Sequence, residues 1–93
     1  MQIDLNEVDV LNNKEANRFE IHLGGKTAFA HYQLRNTTII FDHTVVPPDL
    51  SGQGIGSKLI RAALDYAREQ QLTVIPACPF VSAFIRQHPE YRP

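Results

Sequence analysis

A single cysteine, Cys78, rules out an intramolecular disulfide and suits a reducing compartment. Charge of one sign is lacking too. Nine Lys and Arg stand against ten Asp and Glu, interspersed along the chain, so there is no basic footprint for nucleic acid. No apolar run approaches membrane-spanning length, and the polar start Met1-Gln2-Ile3-Asp4 lacks the character of a signal peptide, so a cytoplasmic protein without a membrane partner is expected. No Cys, His or Asp pair at ligand spacing has a matching second pair, so a metal site is not suggested. Repeats, linkers and low-complexity segments are missing as well, and 93 residues suffice for one core only, which reads as a single domain over 1–93. What is present is an ordinary globular composition, 43% apolar, which argues against disorder.

The first half of the chain alternates. Leu5 to Val10 is a short extended run, and Asn12-Asn13-Lys14-Glu15 reads as a turn. Phe19, Ile21 and Leu23 then alternate with Arg18, Glu20 and His22, the pattern of a strand with one wet face. Gly24-Gly25 is a hairpin signal, followed by a second alternating run with Ala28, Ala30, Tyr32 and Leu34 on one side and Thr27, Phe29, His31 and Gln33 on the other. After a turn at Asn36-Thr37, alternation puts Ile39, Phe41, His43 and Val45 on one face of a third strand and Thr38, Ile40 and Asp42 on the other. From Gln53 the period becomes helical, with Ile55, Leu59, Ala62/Ala63 and Tyr66 flanked by Ile60, Leu64 and Ala67. Leu72 to Ile75 suits a buried strand reached through a crossover helix and so parallel to its neighbour. Pro79 fits the first position of a second helix running to about Gln87, where His88-Pro89 stops it.

Between the meander and the first helix lies Ser51-Gly52-Gln53-Gly54-Ile55-Gly56-Ser57. Three glycines at alternate positions let backbone N–H groups approach a ligand, and the start of a helix adds free N–H groups and a positive dipole end. Together they make an anion site, best suited to a phosphate or pyrophosphate. A P-loop would need Gly-Lys-Ser/Thr, whereas Lys58 follows Ser57; the dinucleotide fingerprint would need G-x-G-x-x-G, and the spacing here is G-x-G-x-G. The pattern left is [Q/R]-x-x-G-x-[G/A], the pyrophosphate loop of the GNAT acetyltransferase superfamily, with Gly54 and Gly56 in its two small positions and Ser51 departing from the usual Gln or Arg. The succession His43-Thr44-Val45-Val46-Pro47-Pro48, this loop, Cys78-Pro79-Phe80 and His88-Pro89-Glu90-Tyr91 resembles the small single-domain GNAT-like proteins of about a hundred residues. The likeness covers the C-terminal half in motifs and the rest in strand order.

That resemblance implies an α/β (more strictly α+β) fold, an antiparallel meander followed by helix, strand and helix on a central mixed sheet. It implies acetyl-CoA in a V-shaped gap where the strand ending near Val46 splays from Leu72–Ile75. Backbone groups of Val45 and Val46 would hold the pantetheine arm, and the loop Ser51, Gly52, Gln53, Gly54, Ile55, Gly56 and Ser57 would hold the pyrophosphate. The implied reaction is acetyl transfer to an amine, of a small molecule or a protein lysine. Helices and strands that wall the acceptor side in larger members do not fit in this length. A coenzyme-binding or interaction module without transfer is therefore the alternative, and the protein would act as a monomer or complete its site as a homodimer.

Two side chains carry the chemical expectation. Cys78 precedes Pro79 and so stands at the cap of the second helix, where the dipole lowers a thiol pKa. It could protonate the departing thiolate or accept the acetyl group, or be a small buried hydrophobe. His43, placed by alternation in an apolar row two residues before Val45, is expected to face the thioester as a base, or else to be an edge or core histidine. His22 and His31 are expected to face solvent and His88 to cap or pack a helix end. Phe80 and Phe84 belong to a core stripe from which one aromatic could line the pantetheine channel, and Lys58, Arg61 and Arg86 read as solvated charges within possible reach of phosphates.

Overall fold

Backbone conformation at three positions folds the first half of the chain. Gly24 and Gly25, with φ of 55° and 75°, make the two-residue turn whose twist suits a hairpin. They join β2 (Arg18–Leu23) to β3 (Lys26–Arg35). Asn36, φ 55°, turns the chain into β4 (Thr38–Val45). The computed structural model describes residues 3–92 and gives one mixed sheet. Its strand order is β1-β2-β3-β4-β5, with β1 at Leu11–Asn13 and β5 at Thr73–Pro76. The first four strands are antiparallel neighbours; β5 joins β4 in parallel after the crossover helix α1 (Ile55–Glu69), and α2 (Pro79–Gln87) follows. This is the α/β architecture expected.

Both helices cover one face. Ile55, Leu59, Ile60, Ala63, Leu64 and Ala67 of α1 and Val81 and Phe84 of α2 are buried in one cluster with Phe19, Ile21, Ala28, Ala30, Tyr32, Ile39 and Phe41 of the sheet. Phe19 packs edge-on to Tyr66 of α1 and against Tyr32, with centroids 5.4 Å and 5.3 Å apart. The helical and the two-residue periodicities thus meet across a single interface.

The ends of the sheet differ from expectation. Leu5–Glu7 is a 3-10 turn capped by the Asp4 carboxylate, which accepts from the Asn6 N–H, and the extended stretch comes later as β1. Asn12 and Asn13, typical turn formers, lie in that strand because each has a partner. Asn12 accepts from the buried Tyr32 hydroxyl at 2.7 Å, and Asn13 donates to Glu20 at 3.2 Å. Tertiary hydrogen bonds outweigh local propensity there. At the other end β5 is an edge strand and not the buried strand its apolar run suggested, with Ile75 45% exposed.

The main correction lies within β4. Pairing with β3 runs in step from Arg35↔Thr38 to Tyr32↔Phe41, slips, and resumes at His31↔His43. Asp42 is the extra residue of a β-bulge. A one-residue slip exchanges faces for everything beyond it, so Thr44 now stands opposite buried Ala30 on the helix side, while His43 and Val45 join His31 and Phe29 on the open side. Ile39 and Phe41 keep the apolar row to themselves. His43 is exposed, contrary to the expectation that it would be turned away from solvent.

Candidate active site

β4 and β5 pair only from Thr38↔Thr73 to Phe41↔Pro76. The last bond between them is the Cys78 N–H to the Phe41 carbonyl, 2.8 Å. Beyond it the chain turns into α2 while β4 continues to Val45, paired as a strand with β3 alone. A split therefore opens with the free edge of Asp42–Val45 on one side. Val45 and Val46 are half-buried beside it, and their backbone groups can be met by an extended amide chain as by an added strand.

The start of α1 supplies the second part. Gly54 is its N-cap, at φ 81°, and no side chain caps the helix. The first intrahelical bond at this end is the Lys58 N–H to the Gly54 carbonyl, 3.0 Å, which leaves the N–H groups of Ile55, Gly56 and Ser57 without helical acceptors. Ser51, Gly52, Gly54 and Ser57 are exposed, and nothing lies within 4 Å of a side chain position at Gly52. Gln53 is tied locally, its amide donating to the Asp49 carbonyl at 3.0 Å. Gly54 and Gly56 also serve packing. A Cβ at Gly54 would lie 2.9 Å from Leu5 Cδ1, and one at Gly56 would lie 2.5 Å from the tip of the Phe80 ring. Lys58 and Arg61 are engaged elsewhere, Lys58 with the Leu5 carbonyl and Arg61 with the Tyr91 hydroxyl at 3.3 Å.

Cys78 is the N-cap of α2, as the position of Pro79 required, and is only 6% exposed. Its thiol donates to Thr44 Oγ1 at 3.4 Å. Burial pushes the thiol pKa up, but the Thr44 hydroxyl and the N–H groups of Val81 and Phe80 more than offset this and hold it below the ordinary value. Those two N–H groups belong to the first turn of α2 and favour a thiolate over a thiol.

The structure does not bring Cys78 and His43 to one face. Cys78 meets β4 at Thr44 on the helix side, while His43 projects from the open side with Phe29 as its ring neighbour, centroids 6.1 Å apart. Thr44 was not singled out in the sequence, because unbroken alternation leaves no sign of the bulge that turns it toward Cys78. His31, expected in solvent, is half-buried and bonded through Nδ1 to Asp42 at 2.7 Å. His88 does pack a helix end, stacked on Phe84 with its Nδ1 2.8 Å from the Phe84 carbonyl. Phe80, not Phe84, lies at the loop, 42% exposed.

A chain of phosphates and amides fits these residues. The helix start is uncapped and faced by small residues, and the strand edge leads away from it toward Cys78. A separate cavity of about 420 Å³, lined in part by Leu64, Arg68, Leu72, Ile85 and Tyr91, touches neither the loop nor the split.

Comparison with known proteins agrees with this geometry. The family model described as GCN5-related N-acetyl-transferase matches residues 18–93. Protein NATD1 of Danio rerio is 29% identical over 87 residues, covering 88% of this chain and 79% of the relative, and Protein NATD1 of Homo sapiens is 24% identical over 85 residues, covering 88% and 75%. A solution structure of a GCN5-like protein from Staphylococcus aureus superimposes with a TM-score of 0.71 at 30% identity, over 94% of this chain and 86% of that one. The chain belongs to the GCN5-related N-acetyltransferase family.

Proposed function

We propose that the protein binds acetyl-CoA along the uncapped start of α1 and the free edge of β4, and transfers its acetyl group to an amine. The observation that carries this reading is the split itself, where the last bond from β4 to the following chain is made by the cap residue Cys78, together with the uncapped start of α1 at Gly54. Acetyl-CoA, when bound, supplies a thioester. The N–H groups from Gln53 to Ser57 hold negative charge, with Ser51 adding a hydroxyl at the loop's start. Val45 and Val46 orient the amide arm through their backbone. Cys78 then has two possible tasks, and the chemistry separates them. As general acid it passes its proton to the departing sulfur; as nucleophile it forms a thioester of its own while the proton goes to CoA.

Free CoA measured after mixing protein and acetyl-CoA, with and without pools of amines, tests the reading. Amine-dependent release is expected. Binding without release from any amine would leave a coenzyme-binding module, a reading favoured by the absence of any element over the open sheet face among the described residues. Intact mass after incubation with acetyl-CoA alone distinguishes the two tasks of Cys78, since only the nucleophile retains an acetyl group. In either case alkylation of Cys78 is expected to rise at lower pH than for a free cysteine, whose pKa is about 8.5. Bound CoA should slow it.

A further inference from the structure

The open face of the sheet holds a histidine–carboxylate couple that the reading above does not use. Asp42 is the bulge residue, and the bulge leaves both its side chain and that of His43 on the open face, where regular alternation would allow only one. One Asp42 oxygen meets His31 Nδ1 at 2.7 Å and the other accepts from the Gln33 amide at 2.8 Å. Gln33 is held in turn by Arg35, which donates to its carbonyl oxygen at 3.1 Å. Burial pushes the Asp42 carboxyl up, but the Gln33 and His31 bonds outweigh it and hold it below the ordinary carboxylate value. Asp42 is therefore ionised at neutral pH and can only accept. The proton on a neutral His31 ring must sit on Nδ1, and the lone pair is on Nε2, which has no partner among the described residues.

His31 is the cross-strand partner of His43, and the far edge of β4 at that level borders the split. One strand spacing, about 4.8 Å, separates the two strands. Thr44 and Cys78 occupy the helix side of β4, so an amine can approach the split from the open side. Resting on the transferase reading, we propose that His31, oriented by Asp42, is the general base that takes a proton from the acceptor ammonium before or as its nitrogen attacks the thioester carbonyl. The balance is simple. Two N–H bonds break and one N–C bond forms: the first proton, from the ammonium, goes to Nε2, and the second leaves the nitrogen after its attack and ends on the sulfur, which departs as the C–S bond breaks and is released as the neutral thiol. His43 has a weaker claim, because among the described residues no carboxylate or carbonyl fixes its ring. The other charged groups facing His31 are accounted for. Arg18, its cross-strand partner on β2, reaches Glu20 at 2.5 Å and lies over the Phe29 ring at 4.3 Å; Asp42 and His43 come from β4; and, among the described residues, α1 and α2 pack on the opposite face.

The test compares wild type, His31→Gln, Asp42→Asn, Asp42→Glu and His43→Gln, using acetyl-CoA and the amine that gives the fastest CoA release. His31→Gln is expected to lower kcat about 10²–10⁴-fold, to abolish the limb of the rate profile that rises with pH, and to leave acetyl-CoA affinity unchanged by calorimetry. Asp42→Asn should lower kcat with little change in KM, and Asp42→Glu should recover part of it. Nitrogen NMR of the free protein should show His31 as the Nδ1-protonated tautomer. An active wild type whose rate and pH profile survive in His31→Gln, or a His31 protonated on Nε2 when neutral, would overturn the base while leaving the transferase reading intact. A wild type that binds acetyl-CoA but acetylates no amine would overturn both.

Discussion

The two faces of the sheet are built from the same strands by different rules. On the helix side, neighbours are apolar and interchangeable in kind: Ile21, Ala28, Ala30 and Ile39 all reach 0% exposure against α1 and α2. On the open side the carboxylates of Glu20 and Asp42 each have named partners. Glu20, 4% exposed, is held by Arg18, His22 and Asn13, and Asp42 by His31 and Gln33. Burial of apolar area stabilises regardless of detail, whereas a buried carboxylate is tolerated only while its partners stay in place. Stability is thus concentrated on one face and specific geometry on the other, and the bulge at Asp42 is where β4 passes from the first rule to the second.

Substitutions on adjacent residues of β4 should separate the two faces most sharply. Phe41→Ala, on the helix side, is expected to cost about 3–5 kcal/mol in denaturant unfolding. Ile40→Ala, half-buried on the open side, should cost about 1 kcal/mol. Equal costs would break the distinction.

The next effect is on acid stability. Burial raises the Glu20 carboxyl, but bonds from Arg18, His22 and Asn13 outweigh it, so its folded pKa is lowered, as is that of Asp42. A lowered carboxylate contributes stability that is complete above its unfolded pKa, about 4, and is lost as pH falls through the folded value. The melting temperature should therefore fall on acidification below that range. Glu20→Gln should lower stability near neutral pH by about 1–3 kcal/mol and weaken the acid dependence. Unchanged acid dependence in a Glu20→Gln, Asp42→Asn double variant would show that the open face does not carry it.

The smallest effect lies at the loop. Valine at Gly54 or Gly56 is a poor probe of coenzyme binding alone, because φ at Gly54 is left-handed and Phe80 occupies the space beside Gly56. Gly56→Ala should gain helix propensity and lose it again by displacing the exposed Phe80 ring, for a net near zero. In a Phe80→Ala background the same change should stabilise by about 0.5–1 kcal/mol. Simple additivity of the two substitutions would mean that the ring does not bear on the helix start.

Much of the fold was legible because its signals are local. Gly24-Gly25, Asn36, the α1 stripe and Pro79 each act within a few residues, and each element formed where they placed it. The site was legible in part for the same reason: an uncapped glycine-rich helix start and a cysteine before Pro79 are properties of short segments. The bulge was not, since it depends on how β3 and β4 settle against each other and no glycine or proline in β4 marks it. Missing it placed His43 on the wrong face and hid Thr44 and the His31–Asp42 couple. Asn12 and Asn13 were misread for a related reason, as their partners Tyr32 and Glu20 lie on other strands.

The central claim is that one groove, from the start of α1 to the β4–β5 split, receives the coenzyme. Titrating nitrogen-labelled protein with CoA and following every backbone amide tests it most directly. The largest shifts are expected at Gly52 to Ser57, at Val45 and Val46, and at Cys78, with the amides of β1 and β2 unmoved. Shifts confined to the cavity around Arg68 and Tyr91, or no shifts at millimolar CoA, would contradict the account.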